Sequence, residues 1–218
     1  MKQSSETGID TLLAQSIRKS LEEDLGKPIM TEIEKRLSEK FDSDLYDAIL
    51  NFQKIDIVLR EIYGKGADGI EDRVFKKMLE INASKINKSV STITIKDSSV
   101  IKTVLGLIGD HGVQQILKVL SLNNEKQDGN YMTKQDMINA TNMTQTIGYA
   151  KIDSMIRCGI LEIKEFGESK IDKRKVAKYQ TSFNSLTTSI NSAGDVSAHI
   201  TISNEHVKNS NILTVINP

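Results

Sequence analysis

The spacing of apolar residues changes once along this 218-residue chain, and that change limits the folds open to it. Over most of the first 157 residues they recur three and four apart, the rhythm of one helix face. After Ile160 they alternate with polar residues, the rhythm of a half-buried strand. The pattern therefore predicts a mainly α chain with a small β component. In the front half, Ile9, Leu12, Leu13, Ile17, Leu21 and Leu25 mark a first helix, which Gly26 and Pro28 stop. Ile29, Ile33 and Leu37 mark a second. Leu45, Ile49, Phe52, Ile55, Leu59 and Ile62 mark a third, with a break near Asn51, and Ile70, Val74, Met78 and Ile81 a fourth. Helices this short are marginal alone, so these are expected to pack together as one helical domain over residues 1–82.

Residues 83–99 turn polar and rich in Ser and Lys and read as a linker, although Thr92-Ile93-Thr94-Ile95 alternates as a short strand does. Beyond it the order becomes informative. Val113, Ile116, Leu117 and Leu120 form a helical stripe. Thr133 can cap a short helix carrying Met137 and Ile138, and Thr141-Asn142 makes a tight turn. A further helix runs from about Thr144 to Arg157, with Ile152, Met155 and Ile156 inward and Gly159 at its end. Strands follow over 160–166 and 176–180, separated by a basic loop, with two more strand-like runs at 183–190 and 196–203. Helix, helix, turn, helix, strand, basic loop, strand is the order of a winged helix-turn-helix. The fold expectation is an N-terminal helical domain plus a C-terminal winged helix-turn-helix with a β-hairpin extension over residues 100–203, then a tail over 204–218.

Charge points to a partner once it is divided. The chain holds 29 Lys and Arg against 29 Asp and Glu, so its sum is zero. Residues 1–90 carry 15 basic and 17 acidic groups, whereas residues 103–190 carry 11 and 9. Within the second block, Lys170, Lys173, Arg174, Lys175 and Lys178 stand against Asp172 alone between 170 and 178. A focused basic patch of this kind suits polyanion contact. A major groove admits one helix, and on the 144–157 helix Gln145, Thr146, Tyr149, Ala150 and Lys151 face outward. Gln bonds adenine, Thr meets a thymine methyl, and Lys reaches guanine or phosphate. The wing residues Lys170, Lys173, Arg174 and Lys175 would follow the sugar-phosphate backbone, supplying affinity without sequence choice.

Two resemblances accompany this reading. Met143-Thr144-Gln145-Thr146-Ile147-Gly148-Tyr149-Ala150-Lys151-Ile152, with Arg157-Cys158-Gly159-Ile160-Leu161, resembles the recognition helix and closing turn of archaeal winged-helix transcription regulators. Lys178-Tyr179-Gln180-Thr181-Ser182-Phe183 is similar to the segment after their wing. The resemblance spans roughly residues 105–203 and implies a DNA-binding transcription regulator. The position that often holds Arg in that family is Ala150 here. In the front half, Leu59-Arg60-Glu61-Ile62-Tyr63-Gly64-Lys65-Gly66-Ala67 resembles a small helical output domain of ammonia-oxidising archaea. That implies a sensor or partner-binding module over about residues 9–82.

Other motifs lead elsewhere or nowhere. Gly64 to Gly69 satisfies G-x-G-x-x-G, but a dinucleotide site needs a strand before the turn and a helix precedes this one. His111, His199 and His206 stand far apart with no ligand spacing, so no metal and no cofactor are expected. Cys158 reads as a small core residue. No catalytic constellation assembles, and an enzyme is not expected. One cysteine excludes an intrachain disulfide, the first residues lack the apolar run of a secretory signal, and no run approaches a membrane span. The expectation is a cytoplasmic protein without membrane contact. A lone winged helix binds weakly, so a homodimer on double-stranded DNA is expected, its seam at 43–62 or 98–109. The rival expectation is a non-enzymatic adaptor that uses the winged helix to dock proteins.

Overall fold

A computed structural model describes residues 7–83, 90–124, 131–168 and 174–216. In chain order the helices and strands are α1 (Gly8–Leu25), α2 (Lys27–Phe41), α3 (Leu45–Leu50), α4 (Phe52–Tyr63), α5 (Ala67–Met78), β1 (Leu79–Ala83), β2 (Val90–Ile95), α6 (Ser98–Ile108) and α7 (His111–Asn124). There follow α8 (Lys134–Thr141), α9 (Gln145–Arg157), β3 (Leu161–Glu168), β4 (Lys175–Thr181), β5 (Ser185–Ile190), β6 (Val196–Ser203), α10 (Asn204–Asn209) and α11 (Asn211–Ile216). The described structure is mainly helical, with one antiparallel sheet and a separate two-stranded hairpin. The chain divides into two compact units, one of residues 1–101 with 183–218 and one of residues 102–182.

The first unit is built on α1. Thr7 caps it by accepting from the Asp10 amide at 3.3 Å, and Gly26, at φ 76°, ends it before Pro28 opens α2. Ile9, Leu13, Ile17 and Leu21 of α1 are buried, and α1 packs on α2, α3 and α5; Phe52, Ile55 and Leu59 of α4 are buried where α4 packs on α2, α3 and α5. Phe52 meets Phe75 with ring centroids 5.0 Å apart. Asn51 separates α3 from α4, where the sequence marks a break. The glycine motif forms a short 3-10 turn between α4 and α5, and Arg60 spans it, bonding Asp56 and Asp68 at 2.6 Å each. It is a helix-to-helix turn.

Four features differ from the sequence reading: β1 pairs with the nearby β2, and the other three depend on segments distant in sequence. The fourth helix ends at Met78, and Ile81 lies in β1, opposite Ile93. The expected linker contains β2, whose Ile93 and Ile95 are buried and pair with Ile200 and Ala198 of β6. The sheet order is β1-β2-β6-β5, so the strands at 185–203 extend the first unit's sheet and not the hairpin of the second. The expected tail is helical. Asp10, fully buried on α1, accepts from the Ser210 hydroxyl and from the Asn211 and Ile212 amides, the latter two at 3.1 Å. Ser210 in turn caps α11 by accepting from the Leu213 amide at 2.9 Å. Burial raises the Asp10 carboxyl above its ordinary range, and these hydrogen bonds oppose the shift.

Glu71 on α5 is half-buried close to Asp56. Burial first, and the Asp56 carboxylate second, push its carboxyl up to about 7, against Arg60, which lowers it. The native state therefore keeps a proton that the unfolded chain loses near pH 4.3. Stability conferred by that proton is full below the unfolded value and is lost as pH rises through 7. We expect lower thermal stability at pH 8 than at pH 5, with Glu71→Gln flattening the decline. A Glu71→Gln protein with the wild-type slope in calorimetry would contradict this assignment.

The second unit packs α7, α8 and α9 and the β3–β4 hairpin around Val113, Ile116, Leu120, Met137, Ile138, Ile152, Met155, Ile160 and Leu161, all buried. The Thr133–Asp136 capping box fixes the start of α8, each side chain bonding the other's amide at 3.1 Å. Gly159, at φ 73°, turns the chain from α9 into β3. The buried Ser182 closes the hairpin base by donating to the Gly159 carbonyl, and its amide donates to Ile160 at 3.1 Å. Among the described residues, no helix is long and apolar enough to cross a membrane.

Candidate nucleic-acid interface

α9 is seated on α8 through a glycine. A Cβ on Gly148 would stand 2.5 Å from Ile138 Cγ1, closer than carbon atoms approach. In the sequence, the signal for this seat is a glycine inside a helical pattern. Alanine gains helix propensity of about 1 kcal/mol over glycine, but forcing a methyl into a filled core costs about 1–3 kcal/mol. Gly148→Ala is thus expected to lower the urea midpoint. An unchanged or raised midpoint would mean that α8 and α9 can part at no cost.

With Gly148, Ile152 and Met155 inward, Gln145, Thr146, Ile147 and Ala150 are exposed on the outward side. Ile147 keeps 51% of its surface and Tyr149 keeps 37%. Tyr149 leans toward α8, where its hydroxyl donates to Gln135 Oε1 at 3.1 Å. Gln135 passes the chain on, its amide donating to Asn139 at 2.8 Å. Between this row and β4 lies a cleft of about 600 Å³, walled by Val176, Lys178 and Tyr179.

Lys151 departs from the expectation. Its ammonium donates to both carboxylate oxygens of Asp110 at 2.6 Å. Asp110 also accepts from the Val113 amide at 3.0 Å, capping α7. The Lys151 bond, then that amide, hold the Asp110 carboxyl below its ordinary range. Lys151 thus joins α9 to α7 instead of standing free at the surface. Lys134 likewise pairs with Asp153 of α9 and lies 5.8 Å over the Tyr179 ring.

The hairpin begins in the core and leaves it. Leu161 and Glu162 are buried, while Ile163 and Phe166 are exposed, with a register shift between Ile163 and Glu165. The Tyr179 amide donates to Met132 at 2.9 Å and anchors β4 beside α8. At the far end Arg174 and Lys175 are exposed, and Lys175 Nζ lies 4.6 Å over the Phe166 ring. Lys178 pairs with Glu165 at 2.7 Å. Lys170 and Lys173 lie outside the described residues.

Comparison with protein-family models, curated proteins and solved structures finds no match for this chain. Its chemistry is therefore read from its own residues. Among those described, no cluster of three or more His, Cys, Asp or Glu is placed to hold a metal. His199 sits on the polar face of the sheet between the Thr94 and Ser189 hydroxyls, 3.0 Å from each. His111 bonds Gln115 and His206 bonds Ser203. Cys158 is only partly buried, and that burial raises its thiol above the ordinary range against the pull of Arg157, so it is not held as a reactive thiolate. In the 43–62 segment, one of the two expected dimer seams, Leu45, Ile49, Phe52, Ile55 and Leu59 are buried in the core of the first unit.

Proposed function

We propose that the chain is a DNA-binding transcription regulator whose 102–182 unit acts as a winged helix-turn-helix. The observation that carries this reading is an exposed helix face followed by an exposed hairpin with basic residues at its end. A helix and a hairpin so exposed can serve a major groove and the flanking backbone. Gln145, Thr146 and Tyr149 are the groove residues, and Lys151 supports the scaffold through Asp110. Lys170, Lys173, Arg174 and Lys175 grip phosphates. The resemblance of the 143–161 run to archaeal winged-helix regulators supports the same reading. The first unit serves as sensor or partner module. The chain acts as a homodimer on half-sites about one helical turn apart, and α6, where Leu105 is exposed, is the remaining seam.

One observation favours the adaptor reading instead: α9 exposes Ile147 while Lys151 is neutralised. Anisotropy with a labelled random-sequence duplex separates the two. DNA binding requires affinity that falls with salt, log K dropping by about 0.9 per phosphate neutralised for each unit of log salt. A folded protein that binds no duplex at low salt would leave the adaptor.

A further inference from the structure

The outward face of α9 carries methyl groups where a groove-reading helix commonly carries charge. Thr146, Ile147 and Ala150 are all exposed there, and Ile147 keeps half its surface in water. The two charged residues of α9 that could read a G·C pair are already committed. Lysine reads guanine O6 and N7, and Asp accepts from cytosine N4. Lys151 is locked to Asp110 by two bonds of 2.6 Å, and Asp153 is paired with Lys134. The remaining cation of α9, Arg157, lies about 16 Å along the axis from Thr146 and bonds Ser154. Gln145, at the first position of α9, carries the amide that matches adenine N6 and N7.

We infer that α9 reads A·T pairs, with Thr146, Ile147 and Ala150 seated on thymine 5-methyl groups and Gln145 on adenine. The inference rests on the duplex-DNA reading above. Arg174 and Lys175, exposed on the neighbouring hairpin, supply positive charge that brings this neutral face to a polyanion. Phosphate contacts then set affinity, and methyl contacts set the choice of sequence.

The test uses the full chain and three duplexes of equal length at one salt concentration: one of A·T pairs in mixed order, the same duplex with every thymine replaced by deoxyuridine, and one of G·C pairs. Each methyl removed from a buried contact costs about fourfold. The A·T duplex is expected to bind at least tenfold tighter than both others, and Ile147→Ser is expected to narrow the thymine-to-uracil ratio severalfold. Equal affinity for the thymine and uracil duplexes, or a G·C preference, overturns the inference while leaving DNA binding intact. No binding to any duplex by the folded protein overturns the underlying reading and the inference with it.

Discussion

Reversing three charges of the basic run, Lys173→Glu/Arg174→Glu/Lys175→Glu, is expected to weaken duplex binding on the order of a hundredfold at 0.1 M salt. Each lost phosphate contact should also lower the salt slope by about 1, so the triple variant is expected to lose about 3. The size follows from replacing attraction with repulsion at three sites beside a densely charged duplex. The fold should tolerate the change. Arg174 and Lys175 are exposed at the far end of the hairpin, away from the buried Leu161 and Ser182. The Lys175–Phe166 contact, worth about 0.5–1 kcal/mol at an exposed site, would be lost with the change. A folded triple variant with wild-type affinity and slope would remove the hairpin from the interface.

Asp10→Ala is expected to be the most destabilising single change named here, costing about 2–4 kcal/mol. Truncation strands the Ser210 hydroxyl and two amides at the start of α11 inside the protein. A buried donor left without its acceptor costs about 1–3 kcal/mol. The burial penalty already borne by the Asp10 carboxyl subtracts from that sum, which keeps the total below three full penalties. Urea unfolding of the full chain measures the loss, and protease sensitivity at the C-terminal helices should rise with it. Asp10→Ala with a wild-type midpoint would mean that α11 does not depend on this carboxylate.

Elements set by local pattern were legible in the sequence. The stripe from Ile9 to Leu25, the Gly26 stop, the Asn51 break, the Thr133 cap and the Gly159 turn all stand where the spacing put them. Most of the misplaced boundaries share one cause, a partner distant in sequence; the exception is β1, which pairs with the nearby β2. β2 looked like a linker because its partner β6 lies more than a hundred residues onward, with the whole second unit between them. The Asp10 clamp on α11 is equally nonlocal, and nothing near Asp10 announces it. At the candidate site, exposure of Gln145, Thr146 and Tyr149 followed from helix periodicity. The neutralisation of Lys151 did not, because Asp110 is a capping residue of another helix and only the packed unit brings the two together. That pairing ties Lys151 to α7, while Thr146, Ile147 and Ala150 are exposed on α9.

Amide NMR of the uniformly labelled full chain, titrated with an A·T-rich duplex, tests most directly whether α9 and the hairpin are the DNA surface. We expect the largest shifts at the amides of Gln145 to Ala150 and at Arg174 to Val176, fading as salt is raised, with the first unit's α1 and α2 unmoved. Shifts confined to the first unit, or none at a concentration where the duplex is bound, would contradict the account.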